Sequence, residues 1–306
     1  MTSSSYARYS AIISIDFRKA FDSLDLDFLW STLRHMGMEG RFRDMMKTLY
    51  NNAESATINQ GVTSKYFSLE RGARQGDPVS PYLFVAALEP LLRTLGAECE
   101  GIETKGGVMT HTSYADDLLP ICGGVSDAKK ALNIVQEFGK ASGLVINKDK
   151  CKVLCFGAWT EAEKEELGVP VVQIIEVTGV HVGKSELQDE IDDSNWGPTT
   201  AAFRRVLGMW KSRIISLGGK VVAVKGQGLS QFQYLASAVD VPEEHEKTMI
   251  KETKAYLGTK ISRERLAKPW DEGGLAMPMI KDVIRACKLH WLRRALLNRH
   301  KIWANI

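Results

Sequence analysis

The chain has 306 residues, 44% of them apolar, enough to bury a sizeable core and to build two domains or subdomains. No apolar run approaches the roughly 20 residues that cross a bilayer, and the opening MTSSSYARYS is polar, so neither a membrane span nor a signal peptide is expected. The net charge of +3 conceals an asymmetry: residues 1–200 hold 20 Lys and Arg against 28 Asp and Glu, a net of −8, and residues 201–306 hold 20 against 9, a net of +11. Such segregation has two readings, a basic second part facing a polyanion or ordinary solvated helix faces, and charge alone leaves both open.

SAIISID, residues 10–16, is a short apolar run ending in an acid and predicts a buried strand. From Asp25 to Asn52, the apolar residues Phe28, Leu29, Leu33 and Met36, then Phe42, Met45, Met46 and Leu49, recur at helical spacing. Gly37 and Gly40 divide them into two helices. SATINQG and KYFSLERG predict paired strands with a loop at Gly61. PYLFVAALEPLLRTL, residues 81–95, is apolar nearly all round, as a buried helix is, and Pro90 predicts a kink or a break in it. Two strands around YADD come next, then a helix over 126–141 with Ser126 and Asp127 as cap candidates and Gly143 as its stop. GLVIN and CKVLCFG predict two more short strands.

Residues 157–195 read as irregular and acidic, apart from a hairpin at IIEVTGVHVG. From Trp196 the chain turns basic and helical, over 198–217, 219–238, 243–258 and 278–300. The acidic LQDEIDDSN serves as the link, which places a first domain over 1–194 and a second over 195–306. The order of elements predicts an α+β fold, a palm-like antiparallel sheet with helices on one face, and after it a basic helical domain. The five cysteines, Cys99, Cys122, Cys151, Cys155 and Cys287, are odd in number and lack paired metal spacing, so a reduced intracellular protein is expected, in the nucleus or cytoplasm, with no targeting signal evident.

Three places carry chemistry. Asp16 closes a buried strand, where a carboxylate is rigidly held; it reads either as a metal ligand or as an N-cap for the next element of the chain. Asp116 and Asp117 sit side by side in HTSYADDLLPIC, either in a solvated turn or at a site for a cation. If Asp16 lies on the neighbouring strand, three carboxylates converge, and hard oxygen ligands with room for phosphates suit Mg²⁺. Two ions roughly 3.5–4 Å apart would serve in-line phosphoryl transfer. The third place is LERGARQGDPVSPYLF, residues 69–84. Gly72 and Gly76 allow close backbone approach, Pro78 and Pro81 fix the start of a helix, and Arg74 and Gln75 offer donors to bases, sugars or phosphates.

SIDFRKAFDSL (14–24), RGARQGDPVSPYLF (71–84), YADD (114–117), SGLVINKDKCKVLCFG (142–157) and TGVHVG (178–183) occur in that order. Together they resemble the successive palm motifs of reverse transcriptases, most closely those of LINE-type, non-LTR retrotransposons. VLGMWKSRIISLGGKVVAVKG and DEGGLAMP resemble the region after the palm in the same elements, so the likeness runs from about residue 10 to the end. The resemblance implies a right-hand polymerase palm followed by a mostly helical thumb. The implied activity is an RNA-directed DNA polymerase that extends a DNA primer on an RNA template with dNTPs, using two Mg²⁺ ions or Mn²⁺ in their place.

Carried over residue by residue, the resemblance makes Asp16 and Asp116 the principal metal-binding carboxylates, with Asp117 beside them and the Phe17 backbone carbonyl completing a coordination shell. Phe21 matches the aromatic residue under the incoming sugar, and a core anchor is its other reading. Arg74, Gln75 and Gly76 would line the nucleotide and template pocket. Lys150 would neutralise or protonate pyrophosphate, although Lys148 is close and a strand-end lysine is commonly just exposed. Lys19 and Asp22 of KAFD read as structural, and TGVHVG as the hairpin that grips the primer. In the basic part, Arg204, Arg205, Lys211, Arg213, Lys220 and Lys225 are candidates for the nucleic-acid backbone.

The family carries a fingers region before the first palm motif, and here only Met1 to Ser10 precede that strand, so a fragment with most of the fingers missing is expected. The alternative function is an inactive retroelement remnant that only binds nucleic acid. An intron maturase or RNA-directed RNA polymerase is a third reading, which the ordered motifs and the tail disfavour.

Overall fold

The structure is a computed structural model and describes residues 9–38 and 40–298. The chain divides after Thr178 into two compact units. That point is the turn between the strands Ile174–Val177 and Val180–Gly183, the hairpin expected at IIEVTGVHVG. The change of composition at 190–196 lies inside a helix, Gln188–Lys211.

The first unit is built on a five-stranded sheet in the order Val171–Val172, Lys152–Gly157, Tyr9–Ser14, Asp117–Cys122, His111–Tyr114. All neighbours are antiparallel except the short edge pair of Val171–Val172 with Lys152–Gly157. Tyr9–Ser14 is central because its alternate residues serve both faces. Ala11, Ile13, Ile15 and Phe17 are buried in a core with Leu29 and Leu33, with Phe84, Leu88 and Leu91, and with Ala128, Ala131 and Val135. These come from the helices Leu26–His35, Ser80–Glu98 and Val125–Ser142. Each fully buried Leu or Phe contributes about 1.5–3 kcal/mol, so this face holds the unit together. Ile12, Ser14 and Asp16 point the other way.

Pro120 sits inside the strand Asp117–Cys122, paired in register with His111 on one side. Towards the central strand, pairing runs through Ala11–Cys122 and Ile12–Ile121 and resumes only as the bridge Ile15–Leu118. Proline has no N–H to give to Ile13, whose register position faces it, and the ladder is open there.

Local chemistry accounts for the helices. Asp25 caps Leu26–His35 by accepting the Phe28 N–H at 2.9 Å, and Gly37 and Gly40, at φ 78° and 71°, separate it from Arg41–Tyr50. Ser80–Glu98 runs on through Pro90 without a break. The strands expected at 55–72 are reduced to two-residue pairs, Glu54–Ser55 with Phe67–Ser68 and Ile58–Asn59 with Val62–Thr63. Three expectations are corrected. GLVIN makes only the bridge Phe17–Ile146, because the chain turns at Asn147, whose carbonyl accepts the N–H groups of Lys150 and Cys151. Neither Ser126 nor Asp127 caps its helix; Gly124 holds the cap position, and the Asp127 carboxylate serves other donors. Residues 157–195 are ordered, with a capping box at Thr160 and Glu163 and a helix from Gln188 whose first-turn Asp189 and Glu190 suit its dipole.

The second unit is helical. Gln188–Lys211, the run from Leu217 to Ala238 with a wider π turn at Val224–Gly228 and a tighter 3-10 turn at Leu229–Gln231, and Glu243–Leu257 enclose Trp196, Phe203, Val224, Phe232 and Met249. The helix expected over 278–300 is Ile280–Leu297, and residues 299–300 lie outside the described residues. Among the described residues no helix is long and apolar enough to cross a membrane.

Candidate functional site

The register of the central strand decides where its terminal acid sits. Ala11 faces Cys122, Ile12 faces Ile121 and Ile15 faces Leu118, so the next position sets Asp16 directly opposite Asp117. Residues directly opposite in an antiparallel pair project to one face, here the face away from the helical core. Tyr114 pairs with Asp117, which leaves Ala115 and Asp116 as a two-residue turn, with Ala115 at φ 53°. A tight turn therefore presents Asp116 and Asp117 at one sheet edge, next to Asp16, two residues beyond the strand Tyr9–Ser14.

Among the described residues, every charge that shifts Asp117 is an acid. Burial, then the charges of Asp116, Asp16 and Glu176, hold the Asp117 carboxyl above its ordinary value. Glu176 comes from the strand Ile174–Val177, and nothing in its own sequence neighbourhood marks it; only the tertiary placement of that strand brings it near. Among the described residues, the carboxylates of Asp16, Asp116 and Asp117 do not all close to within 4.8 Å of one another; the one group that does is Asp193, Glu244 and His245 in the second unit. Like charges without a counter-charge keep apart. A donor set of hard carboxylate oxygens under mutual repulsion is chemically matched to divalent cations such as Mg²⁺.

The backbone around Asp16 is fixed on both sides. Its N–H donates to the Cys151 Sγ at 3.4 Å, and its carbonyl accepts the Asn147 N–H at 2.8 Å. The Arg18 N–H is likewise taken by Val145 at 2.8 Å, so by the alternation of the ladder the Phe17 carbonyl faces the side of the YADD strand. Lys19, at φ 47°, turns the chain sharply into the short helix Ala20–Ser23. Phe21 then stacks on Phe84, ring centroids 4.4 Å apart.

RGARQGDP lies against that turn. Gly72 donates to Leu24 and Ala73 to Phe21, and a Cβ on Gly72, at φ 91°, would come within 2.8 Å of the Asp22 backbone. Gln75 Nε2 donates to Asp22 Oδ1 at 3.1 Å, so KAFD and RQGD form one unit. Arg74 is tethered away from the acids. Its guanidinium lies over the Tyr50 ring, 5.0 Å from the centroid, and donates to the Leu49 carbonyl. Tyr50, to which sequence reasoning assigns no role, also bonds Ser80 at 2.8 Å. Gly76 is exposed with open space around it, and Lys150 is exposed at the Asn147 turn.

The basic candidates lie in the second unit. Arg205, Lys211, Arg213 and Lys225 are exposed. Arg204 pairs with Glu252 at 2.9 Å, and Lys220 donates to the Leu257 carbonyl at 3.2 Å beside the Tyr256 ring.

The family model "Reverse transcriptase (RNA-dependent DNA polymerase)" matches residues 2–220. The Retrovirus-related Pol polyprotein from type-2 retrotransposable element R2DM of Drosophila melanogaster is 29% identical over 185 residues, covering 60% of this chain and 17% of that protein. The Transposon TX1 uncharacterized 149 kDa protein of Xenopus laevis is 26% identical over 301 residues, 94% of this chain and 22% of that protein. The chain thus spans about a fifth of the length of these relatives. A solved telomerase from Candida tropicalis, in complex with a TWJ fragment of telomeric RNA, aligns over 95% of this chain and 48% of its own, with 12% identity and a TM-score of 0.44. With a family model matched over more than two thirds of the chain, it belongs to the reverse transcriptases, in the LINE-type, non-LTR retrotransposon group.

Proposed function

We propose that this chain carries out RNA-directed DNA synthesis, with Asp16, Asp116 and Asp117 as its catalytic carboxylates. The observation that carries this reading is the register that sets Asp16 opposite Asp117 beside the Asp116 turn, on a face free of the helical core. These three side chains, with the Phe17 carbonyl, would hold two Mg²⁺ ions or Mn²⁺ in their place. When bound, such ions neutralise phosphate charge and make the primer 3′-hydroxyl more acidic.

In the reaction, the primer 3′-oxygen bonds to the α-phosphorus of a dNTP, the bond to the bridging oxygen breaks, pyrophosphate leaves, and the hydroxyl proton passes to solvent. The protein's part is positioning and charge. The Asn147 and Cys151 bonds keep Asp16 in place, and the Phe84 stack holds Phe21 where it can pack under the incoming sugar and exclude a 2′-hydroxyl. Gln75 and Gly76 line the nucleotide and template side, with Arg74 bracing that loop on Tyr50. Lys150 offers charge or a proton to the pyrophosphate. Residues 1–194 act as palm and residues 195–306 as thumb. There Arg205, Lys211, Arg213 and Lys225, joined by Arg204 and Lys220, hold the phosphates of the RNA template and DNA primer without reading sequence.

Primer extension on an RNA template with Mg²⁺ and dNTPs tests this. Extension that disappears in Asp116→Asn with template–primer binding intact supports the reading. Salt-sensitive binding with no extension in the unaltered chain would instead favour the binding-only alternative.

A further inference from the structure

The helix Glu243–Leu257 opens with Glu243, Glu244 and Glu246, acids that suit its dipole, and Glu243 pairs with Lys247 and Glu246 with Lys281. His245, between them, does not follow that logic. Its ring packs near Trp196, centroids 6.4 Å apart, and its Nδ1 lies 2.9 Å from the Thr200 Oγ1. Its Nε2 is shut off from solvent and makes no hydrogen bond, which is costly for a buried polar atom. That nitrogen lies 3.5 Å from Glu244 Oε1. Asp193 completes the surroundings: one ring nitrogen of His245 and a carboxylate oxygen from each of Asp193 and Glu244 all lie within 4.8 Å of one another. Asp193, Trp196 and Thr200 are spaced at three and four residues along Gln188–Lys211, so one helix face both grips the imidazole and offers it a carboxylate.

We propose that Asp193, Glu244 and His245 form a binding site for a divalent transition metal of the zinc type, joining the helices Gln188–Lys211 and Glu243–Leu257. The donor set is one imidazole nitrogen and two carboxylate oxygens, which suits Zn²⁺ and is a poor match for Mg²⁺, a cation that prefers oxygen alone. Thr200 supplies the orientation that metal-bound histidines need, through its 2.9 Å contact with Nδ1. In the tautomer that carries its proton on Nδ1, donated to the Thr200 hydroxyl, Nε2 has a free lone pair 3.5 Å from Glu244 Oε1. Asp193 and Glu244 are exposed, so a bound ion would be reached from their side of the ring. The competing assignment is a protonated His245 ion-paired to Glu244, which needs neither Asp193 nor a metal.

The test is titration of the full chain with Zn²⁺ against a chromophoric chelator, with Co²⁺ as a spectroscopic probe. The same titration is run on the Asp16→Asn/Asp116→Asn double variant, so that the YADD acids do not contribute. The expected result is one Zn²⁺ per chain, kept in that double variant and weakened about tenfold or more in Asp193→Asn and in Glu244→Gln. The Co²⁺ absorption band should fade in the same two variants. Both replace exposed side chains and should keep the melting temperature of the metal-free protein, so the result does not depend on whether His245→Ala folds. Zn²⁺ affinity unchanged in both carboxylate variants, or no Zn²⁺ bound in any of them, overturns the site.

Discussion

Two aspartates flank the YADD strand, Asp117 at its start and Asp127 beyond its end, and they are treated in opposite ways. Asp127 is 3% exposed, and its carboxylate accepts the N–H groups of Glu100, Gly101 and Gly123, each at 2.9 Å. Neither glycine has room for a side chain, since a Cβ on Gly101 would strike the Met109 carbonyl and one on Gly123 would strike the Gly101 carbonyl. Asp117 is exposed, and the groups that perturb it after burial are the acids Asp116, Asp16 and Glu176. A carboxylate satisfied by the protein's own donors is architecture. One surrounded by its own kind is left for something brought from outside.

The contrast can be broken most decisively at the acidic tip. Asp116→Asn is expected to lower primer extension by about a hundredfold or more with the melting temperature unchanged. The same loss of extension from Asp127→Asn, at unchanged stability, would erase the distinction between the two acids. Asp127→Ala should destabilise by about 3 kcal/mol in urea unfolding, because three buried N–H groups lose a charged acceptor. A loss below about 1 kcal/mol would mean that water replaces it readily.

Gly72→Ala should cost about 2 kcal/mol through strain and its approach to Asp22. Gly76→Ala, also at positive φ but in open space, should cost only about 1 kcal/mol. Equal melting temperatures for the two would dissolve the link drawn between KAFD and RQGD. The last effect is confined to alkali. Burial, then the charge of Asp127, pushes the Cys99 thiol from 9.0 to about 11. The folded chain therefore keeps this proton where the unfolded chain loses it. The stabilisation is full below pH 9 and is lost as pH rises towards about 11. Cys99→Ala should flatten the fall in melting temperature across that window.

The acidic edge was largely legible in the sequence because it is written locally. A strand ending in Asp16, a turn at Ala115–Asp116 and helix starts marked by Asp25 and Pro81 all derive from spacing and turn chemistry within a few residues. The illegible parts depend on residues far apart in the chain. Asp127 has the composition of a cap, but its donors come from Glu100, Gly101 and Gly123. Arg74 reads as a donor to bases, sugars or phosphates, and its contacts with Tyr50 and Leu49, distant in the chain, have no signal in the sequence. Glu176 joins the acidic edge only through the tertiary position of its strand, and GLVIN has strand composition but is drawn off by the Asn147 turn.

Pro120 gives the sheet an unusual mechanical property. The YADD strand is joined to the central strand at Cys122 and Ile121 below the proline and at Leu118 above it, like a beam resting on two supports. Its other edge stays laddered to His111–Tyr114 over residues 117–120. The span between the supports therefore carries one rung fewer on the side of the central strand alone, between the acidic tip and the Asp127 clip.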